Sequence, residues 1–359
     1  MSTCIGLCWA LTVYNHSSSR TSFWMRLPLE GSRANVKSQS KPPRMHHYIP
    51  RFYLAGFAAH SSKNDKSKPL LWVYEKHRAI RCSTPEAEAC QKDFYSFQDG
   101  GARNVEVEGW FARLEGQVSS IIPELVRLRR EPTGPEREWL ALFMGTMQTR
   151  TPMGRRLSDE RFGPATSRLM KEAAADPARF RELCVTMQAD IPDAEMAEEV
   201  RKDILAGRGE DLEARPDFKL ASIVEVGQIV ADVLMEMGWR FIHAPQAHRF
   251  ITSDNPLVSE ASEPGSKEIH FRMGVNLPNV AVWFPLTQTV CLIMQKGLTP
   301  GIGTTSGFVA RCINKRIMIC AERRIYAGEH SAGLQAAFNR HGCQVPIETL
   351  DLRYEGQKI

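Results

Sequence analysis

The stretch of sequence that decides the fold is Met45-His46-His47-Tyr48-Ile49-Pro50-Arg51-Phe52-Tyr53-Leu54-Ala55-Gly56-Phe57. It places two adjacent imidazoles, several aromatic rings and a guanidinium close together. An amphipathic helix or strand separates polar from apolar side chains at a fixed period, and this stretch does not. We therefore interpret it as the start of the folded domain and as the first candidate for a functional site.

The positive charge of the chain is confined to its first residues. The formal net charge is +5, with 46 Lys and Arg against 41 Asp and Glu. Residues 1–44 hold six of the basic residues and one of the acidic ones, which leaves 40 of each in the remainder. The net charge therefore does not support nucleic acid as a partner. A local basic groove on a neutral domain would still allow nucleic-acid binding.

The leader at residues 1–44 does not resemble a folded or secreted segment. Its apolar run at 4–13 lacks the preceding positive region that a secretory signal needs. We expect translation to start at Met45, with a disordered native tail or a targeting segment as the alternatives. The chain has no apolar run long enough to span a membrane, and its nine cysteines show no C-x-x-C pair. These patterns predict a cytoplasmic protein in a reducing environment, with no membrane contact.

Hydrophobic periodicity predicts helices in the middle of the chain and strands on either side. The predicted strands cover 70–74, 80–82, 93–97, 239–243, 249–253, 280–286, 290–295 and 324–327. Helix starts are predicted at 83–86, 105, 133–136, 176–177 and 216–217, and a further helix at 308–321. This order favours the α+β class over alternating β-α-β units.

We predict one helix-rich α+β domain at 45–330. Its short antiparallel strands at both ends of the chain are expected to pack on a central helical bundle. The charged segment near 158–215 is interpreted as a variable helical insertion, and residues 331–359 as a C-terminal tail.

Several stretches resemble those of a known bacterial family. They are 46–57, 71–74 with 93–95, 141–152, 250–256, and 284–287 with Asn314. They occur in the expected order, and through them the chain resembles the family known as domain of unknown function 4238. The resemblance implies that the domain starts at Met45, and it implies no reaction.

His46 and His47 are the first candidates for chemistry. Adjacent side chains point to opposite faces of a strand, so the two imidazoles are not expected to serve one site. We predict that one is a general acid/base or a phosphate partner and that the other is structural. Pro50 is expected in the first turn of a helix, and Arg51 beside it offers N–H donors for a carboxylate or phosphate.

Asp254 and Asn255 form the second candidate, because they follow a predicted strand and precede Pro256. Asp254 could bind a cation, orient His46 or His47, or act as a base, with Asn255 contacting the ligand. The alternative is an Asx-turn in which the aspartate caps the backbone of its own turn.

Gln148 and Arg150 form the third candidate, at the end of an apolar helix where a long amide and a guanidinium need partners. Either they face the same cavity as the histidines, which would pair Arg51 with Arg150 around an anionic ligand, or Arg150 pairs with a carboxylate such as Glu115 and ties two helices together. The sequence does not distinguish these interpretations.

Motifs for cofactors are missing from the sequence. The segment 301–307 precedes a helix but misses the glycine spacing of a phosphate loop, so a flexible loop is predicted there. No H-E-x-x-H or EF-hand pattern is present. A divalent cation held by Asp254 is the cofactor that the candidate residues would accommodate.

Two functions from different classes fit these residues. The first is a nuclease-like phosphoester hydrolase on a phosphorylated or nucleic-acid substrate, with catalytic His46, His47 and Asp254. The anion would then be held by Arg51, Gln148, Arg150 and Asn255. The second is a non-catalytic module that binds a small anionic or phosphorylated ligand, as part of a bacterial defence or toxin-like system. Convergence of a histidine, Asp254 and an arginine on one open cleft would favour the hydrolase.

Overall fold

The computed structural model describes residues 44–59, 69–95, 97–99, 102–104, 106–186, 194–207, 216–262, 269–272, 274–277 and 279–344. Within them the chain divides into two compact units. The smaller comprises 95–107 and 154–225, and the larger comprises the rest. The predicted insertion near 158–215 thus falls in the smaller unit, and the predicted leader lies outside the described residues except for Arg44.

Helices occupy the middle of the chain and strands lie on either side. The helices are α1 (Arg51–Ala55), α2 (Glu106–Leu128), α3 (Gly134–Thr149), α4 (Pro152–Ala174), α5 (Pro177–Thr186), α6 (Ala194–Leu205), α7 (Pro216–Met235), α8 (Gly307–Cys320) and α9 (Ala332–His341). The strands are β1 (Met45–His47), β2 (Leu71–Glu75), β3 (Arg81–Ser83), β4 (Cys90–Lys92), β5 (Phe97–Asp99), β6 (Ala102–Asn104), β7 (Gly238–His243), β8 (Thr252–Ser253), β9 (Val258–Ala261), β10 (His270–Phe271), β11 (Val280–Thr287), β12 (Val290–Gln295), β13 (Gly301–Thr304) and β14 (Arg324–Ala327). The predicted α+β class is confirmed. Among the described residues no helix is long and apolar enough to cross a membrane.

The larger unit contains two main sheets. One has the strand order β10-β9-β11-β12-β7-β13, antiparallel except for β13, which runs parallel to β7. The other is antiparallel, with the order β3-β2-β14-β8. Helix α8 contacts β8 of one sheet and β9 of the other, so its apolar residues help to build a shared core.

Helix α3 is buried along most of its length because its sequence from Leu140 to Met147 offers almost no polar side chain. It begins where its sequence predicts, since the Glu136 carboxylate accepts a hydrogen bond from the N–H of Thr133 at 2.8 Å. The helix crosses α7 at two glycines. A Cβ placed on Gly145 would lie 2.1 Å from the carbonyl oxygen of Gly227, so only glycine allows this approach.

The smaller unit holds the β5–β6 hairpin, most of α4, all of α5 and α6, and the first half of α7. Helix α5 starts at Pro177 because the Asp176 carboxylate accepts the N–H of Ala178 at 2.8 Å. Arg201 of α6 donates to the carbonyl of Ala174 at the end of α4, at 2.7 Å. Helices α4, α5 and α6 share a small apolar core.

Three local predictions are wrong. Residues 83–86 do not start a helix, because Ser83 and Arg81 both bond the Glu88 carboxylate and hold the chain in a turn. Residues 93–95 form a turn instead of a strand, with Asp93 at a positive φ of 55°. Residues 301–304 form β13 instead of a loop, since their backbone pairs with β7. In addition, α9 lies within the residues interpreted as a tail.

Candidate functional site

An open cleft of about 370 Å³ lies between α1 and α2 in the larger unit. We call it the α1–α2 cleft, and its lining residues come from α1, from the loop after β3 and from α2. They are Arg51, Phe52, Ala55, Pro85, Glu86, Glu115, Gly116 and Ser119. The cleft thus combines one cation, two carboxylates, a hydroxyl and an apolar wall.

Arg51 is the first residue of α1, directly after Pro50, and its side chain is exposed. Pro50 occupies the position just before the helix because its fixed φ suits a helix start. The helix is short, and Tyr53 and Leu54 anchor it by packing in the core. Arg51 is therefore held at the cleft by the buried residues that follow it.

His47 lies beside the cleft wall without lining it. Its Nε2 is 3.1 Å from the carbonyl oxygen of Glu86. Burial lowers the pKa of His47, and the positive charges of Arg51 and Arg150 add to this effect. A neutral imidazole in this position donates its Nε2–H to the carbonyl, which leaves Nδ1 as an acceptor.

His46 has a different partner on the opposite face of β1. Strand β1 pairs with β4, and the extended backbone sends successive side chains to opposite sides. The His46 imidazole is fully buried, with its Nε2 at 3.0 Å from the Glu108 carboxylate of α2. The described contacts therefore give the two histidines separate surroundings.

Arg150 ties the end of α3 to α2 and β1. Its Nη2 donates at 2.8 Å both to Glu115 and to the carbonyl oxygen of His47, and its guanidinium lies 4.1 Å from the centre of the Phe111 ring. The residue is only 1% exposed. Gln148, two residues earlier, has its Oε1 buried without a described hydrogen-bond partner. Of the two interpretations of Arg150, the contacts match the one in which it joins two helices.

Asp254 is held by the backbone of another segment. Its carboxylate accepts hydrogen bonds from the N–H groups of Glu322, Arg323 and Arg324 at 2.8–2.9 Å, at the junction between α8 and β14. Burial first, and then the charge of Glu322, raise the pKa of Asp254 to about 7, against the opposing effect of these hydrogen bonds. The aspartate caps backbone N–H groups as the structural alternative predicted, but on a distant segment instead of its own turn.

The neighbours of Asp254 in sequence reinforce the same junction. Asn255 donates from Nδ2 to the carbonyl of Cys320 at 3.0 Å, and Ser253 accepts the N–H of Asn255. Asn314 of α8 accepts the N–H of Ile251 and donates to the carbonyl of Arg249. The described contacts of Asp254 and Asn255 thus join β8 to α8, and none of them involves His46 or His47.

The described parts of the chain contain no cluster of side chains suited to bind a metal ion. No group of three His, Cys, Asp or Glu side chains comes together there. The carboxylate oxygens of Asp254 already accept backbone hydrogen bonds.

Glu86 and Glu108 are contacts of the histidines that were not predicted from the sequence. Glu108 and Glu115 are seven residues apart on α2 and therefore lie on one helix face, so helical periodicity could have indicated them together. Glu86 contacts His47 through its backbone carbonyl, and a sequence carries no signal for such a contact.

These features define an α+β protein whose motif residues are mostly buried and bonded within the protein, beside the α1–α2 cleft. The chain belongs to the family described as Protein of unknown function (DUF4238), whose model matches residues 45–331. This match confirms the resemblance carried by the motif stretches. No curated protein and no solved structure matches the chain.

Proposed function

We propose that this protein is a non-catalytic binding module whose α1–α2 cleft takes a small ligand with an anionic group. One observation carries the proposal. Among the polar residues selected from the motif stretches, Arg51 is the one with an exposed side chain lining the cleft. Asp254, Asn255 and Arg150 are buried and bonded to other parts of the protein.

The remaining lining residues support an organic ligand of modest size. The volume of about 370 Å³ falls within the range of small-molecule sites. Phe52, Ala55 and Pro85 supply an apolar wall, and the charge of Glu115 is balanced by Arg150 beneath the cleft. Arg51 would then bind a carboxylate or phosphate, and Ser119 could add a hydroxyl hydrogen bond.

Binding of inorganic phosphate and of phenyl phosphate, measured by isothermal titration calorimetry, tests the proposal. Phenyl phosphate should bind more tightly than phosphate because its ring can contact the apolar wall. Arg51→Ala should weaken binding of both probes by about tenfold or more, since a charge-assisted hydrogen bond is lost.

Arg127→Ala is the matched control, because Arg127 is also an exposed helical arginine and does not line the cleft. It should bind both probes like the wild type. The proposal fails if neither probe binds the wild type, or if Arg51→Ala binds them unchanged.

A phosphoester hydrolase is the second candidate, with His47 as the acid/base and Arg51 holding the phosphate. It is favoured by the lowered pKa of His47, which leaves the imidazole neutral near pH 7, the state required of a general base. Wild-type turnover of bis-p-nitrophenyl phosphate, with and without Mg²⁺, that is lost in a folded His47→Gln variant would support it. Absence of turnover in the wild type would favour the binding module.

We also propose that the protein is cytoplasmic. All seven cysteines within the described residues are free thiols, which supports a reducing environment such as the bacterial cytoplasm.

A further inference from the structure

We propose that a second surface of the larger unit binds the phosphate backbone of a nucleic acid, independently of the α1–α2 cleft. We call this surface the basic face. It is formed by the turn after β2, by the last turn of α9 and by the neighbouring part of α8. Its members are Lys76, His77, Arg78, Lys315, Arg340 and His341.

Hydrogen bonds bring the turn after β2 to the end of α9. The backbone N–H of His77 donates to Oδ1 of Asn339 at 2.9 Å. Gln335, one turn earlier on α9, donates to the carbonyl of Glu75 at 2.9 Å. Lys76, His77 and Arg78 therefore lie next to Arg340.

Backbone contacts also bring α8 to the end of α9. The N–H of Cys343 donates to the carbonyl of Met318 at 3.0 Å, and that of Gln344 donates to Ile319 at 3.2 Å. Lys315 precedes Ile319 by one helical turn, so it faces the same end of α9. In agreement, partial burial and then the charges of Lys315 and Arg340 lower the pKa of His341.

The carboxylate side chains described near the basic face are buried or half-buried. Glu75 is buried and shared among Arg78, Arg323 and Arg324, at 3.6, 3.1 and 2.9 Å. Asp254 is buried and bonded to backbone N–H groups, and Glu322 is half-buried near Cys343. Lys315 and Arg340 have no described ion pair, and their side chains are exposed, so the face keeps an excess of positive charge.

Nucleic acid fits this face better than an acidic protein does. Stable protein interfaces need an apolar centre, and the large exposed apolar side chains of the described residues all lie outside the face. Phosphate contacts use Lys, Arg, amide side chains and backbone N–H groups, and no base reading is required. Because residues 45–359 carry no formal net charge as a whole, the attraction would be local to this surface.

The test is fluorescence anisotropy of labelled DNA of about 20 base pairs, and of single-stranded RNA of similar length, titrated with the full chain at several salt concentrations. Lys76→Ala/Lys315→Ala should weaken binding by about tenfold or more and reduce the salt slope by about two, since two phosphate contacts are lost. Lys92→Ala/Lys296→Ala, which removes two exposed lysines elsewhere, should leave binding unchanged. Both variants should unfold near the wild-type temperature, because Lys92, Lys296 and Lys315 are exposed and Lys76 is only half-buried.

Three outcomes would overturn the proposal. The wild type could bind neither DNA nor RNA, the two double variants could weaken binding equally, or polyglutamate could bind the face more tightly than either nucleic acid. The last result would assign the face to an acidic protein. Binding of phenyl phosphate at the cleft is measured separately, so failure of one proposal does not affect the other.

Discussion

Nη2 of Arg150 donates to Oε1 of Glu115 at 2.8 Å, with the arginine side chain 1% exposed and the glutamate 26% exposed. The pair lies directly beneath the α1–α2 cleft, because Glu115 also lines that cleft. The same arginine bonds the carbonyl of His47, 103 residues earlier in the chain. A residue that resembles a ligand-binding arginine in the sequence thus joins α2, α3 and β1.

Removing Arg150 should therefore reduce stability. Arg150→Ala leaves the Glu115 carboxylate and the His47 carbonyl without their donor, and we expect a loss of about 3 kcal/mol in the free energy of unfolding, measured with urea. Arg127→Ala should change it by less than about 0.5 kcal/mol. An unchanged Arg150→Ala midpoint combined with lost phosphate binding would instead make Arg150 a ligand residue.

Asp254 should be equally important for stability. Asp254→Ala removes a buried carboxylate that accepts hydrogen bonds from three backbone N–H groups, and we expect a loss of about 3 kcal/mol in a urea titration. Glu172→Ala, at an exposed position of α4, is the control and should be near neutral. Wild-type stability in Asp254→Ala would argue against this structural role.

The pKa of Asp254 also predicts a pH dependence. Because burial raises that pKa from 3.8 to about 7, the folded state keeps a proton that the unfolded state loses between about pH 4 and pH 7. The stability that Asp254 contributes should therefore fall as pH rises through this window, by up to about 1.4 kcal/mol per pH unit.

Urea titrations of wild type and Asp254→Asn at pH 5 and pH 7 measure this contribution, since the asparagine does not titrate. The stability advantage of the wild type should be smaller at pH 7. An advantage that grows with pH would show that the three backbone N–H groups keep Asp254 ionised.

The crossing of α3 and α7 predicts the effect of a single methyl group. In Gly145→Ala the new Cβ would overlap the carbonyl oxygen of Gly227, so the helices must separate, and thermal unfolding should show a loss of about 2 kcal/mol or more. Gly109→Ala on α2 meets only the distant end of Arg113, and it should be neutral or stabilising by about 0.5–1 kcal/mol. Equal effects of the two substitutions would contradict this account of the crossing.

The sequence predicted those helices and strands that are stabilised by interactions between residues close together in the chain. The start of α5 follows from the capping residue Asp176 and from Pro177, and that of α7 follows from Pro216. The β11–β12 hairpin follows from two apolar runs around a short turn. The strand β13 was missed because glycines have no side-chain pattern, and its extended form depends on pairing with β7 about sixty residues earlier.

The candidate site was predictable to a smaller extent. Arg51 follows from its place after Pro50 at a helix start, and its exposure at a cleft is consistent with that expectation. The bonding of Asp254 to residues 322–324 was not predictable, because its partners are backbone N–H groups that every non-proline residue carries.

The sequence by itself determined the α+β class, the family and the set of polar residues to test. Hydrophobic periodicity, helix caps and the order of motifs depend only on residues that are close together or ordered along the chain. Only the tertiary structure decided which of those residues reach solvent. A side chain's burial and partners depend on segments that are distant in sequence, as Arg150 depends on His47 and Asp254 on Glu322. For this reason Arg51 lies at an open cleft while its equally polar companions stabilise the fold.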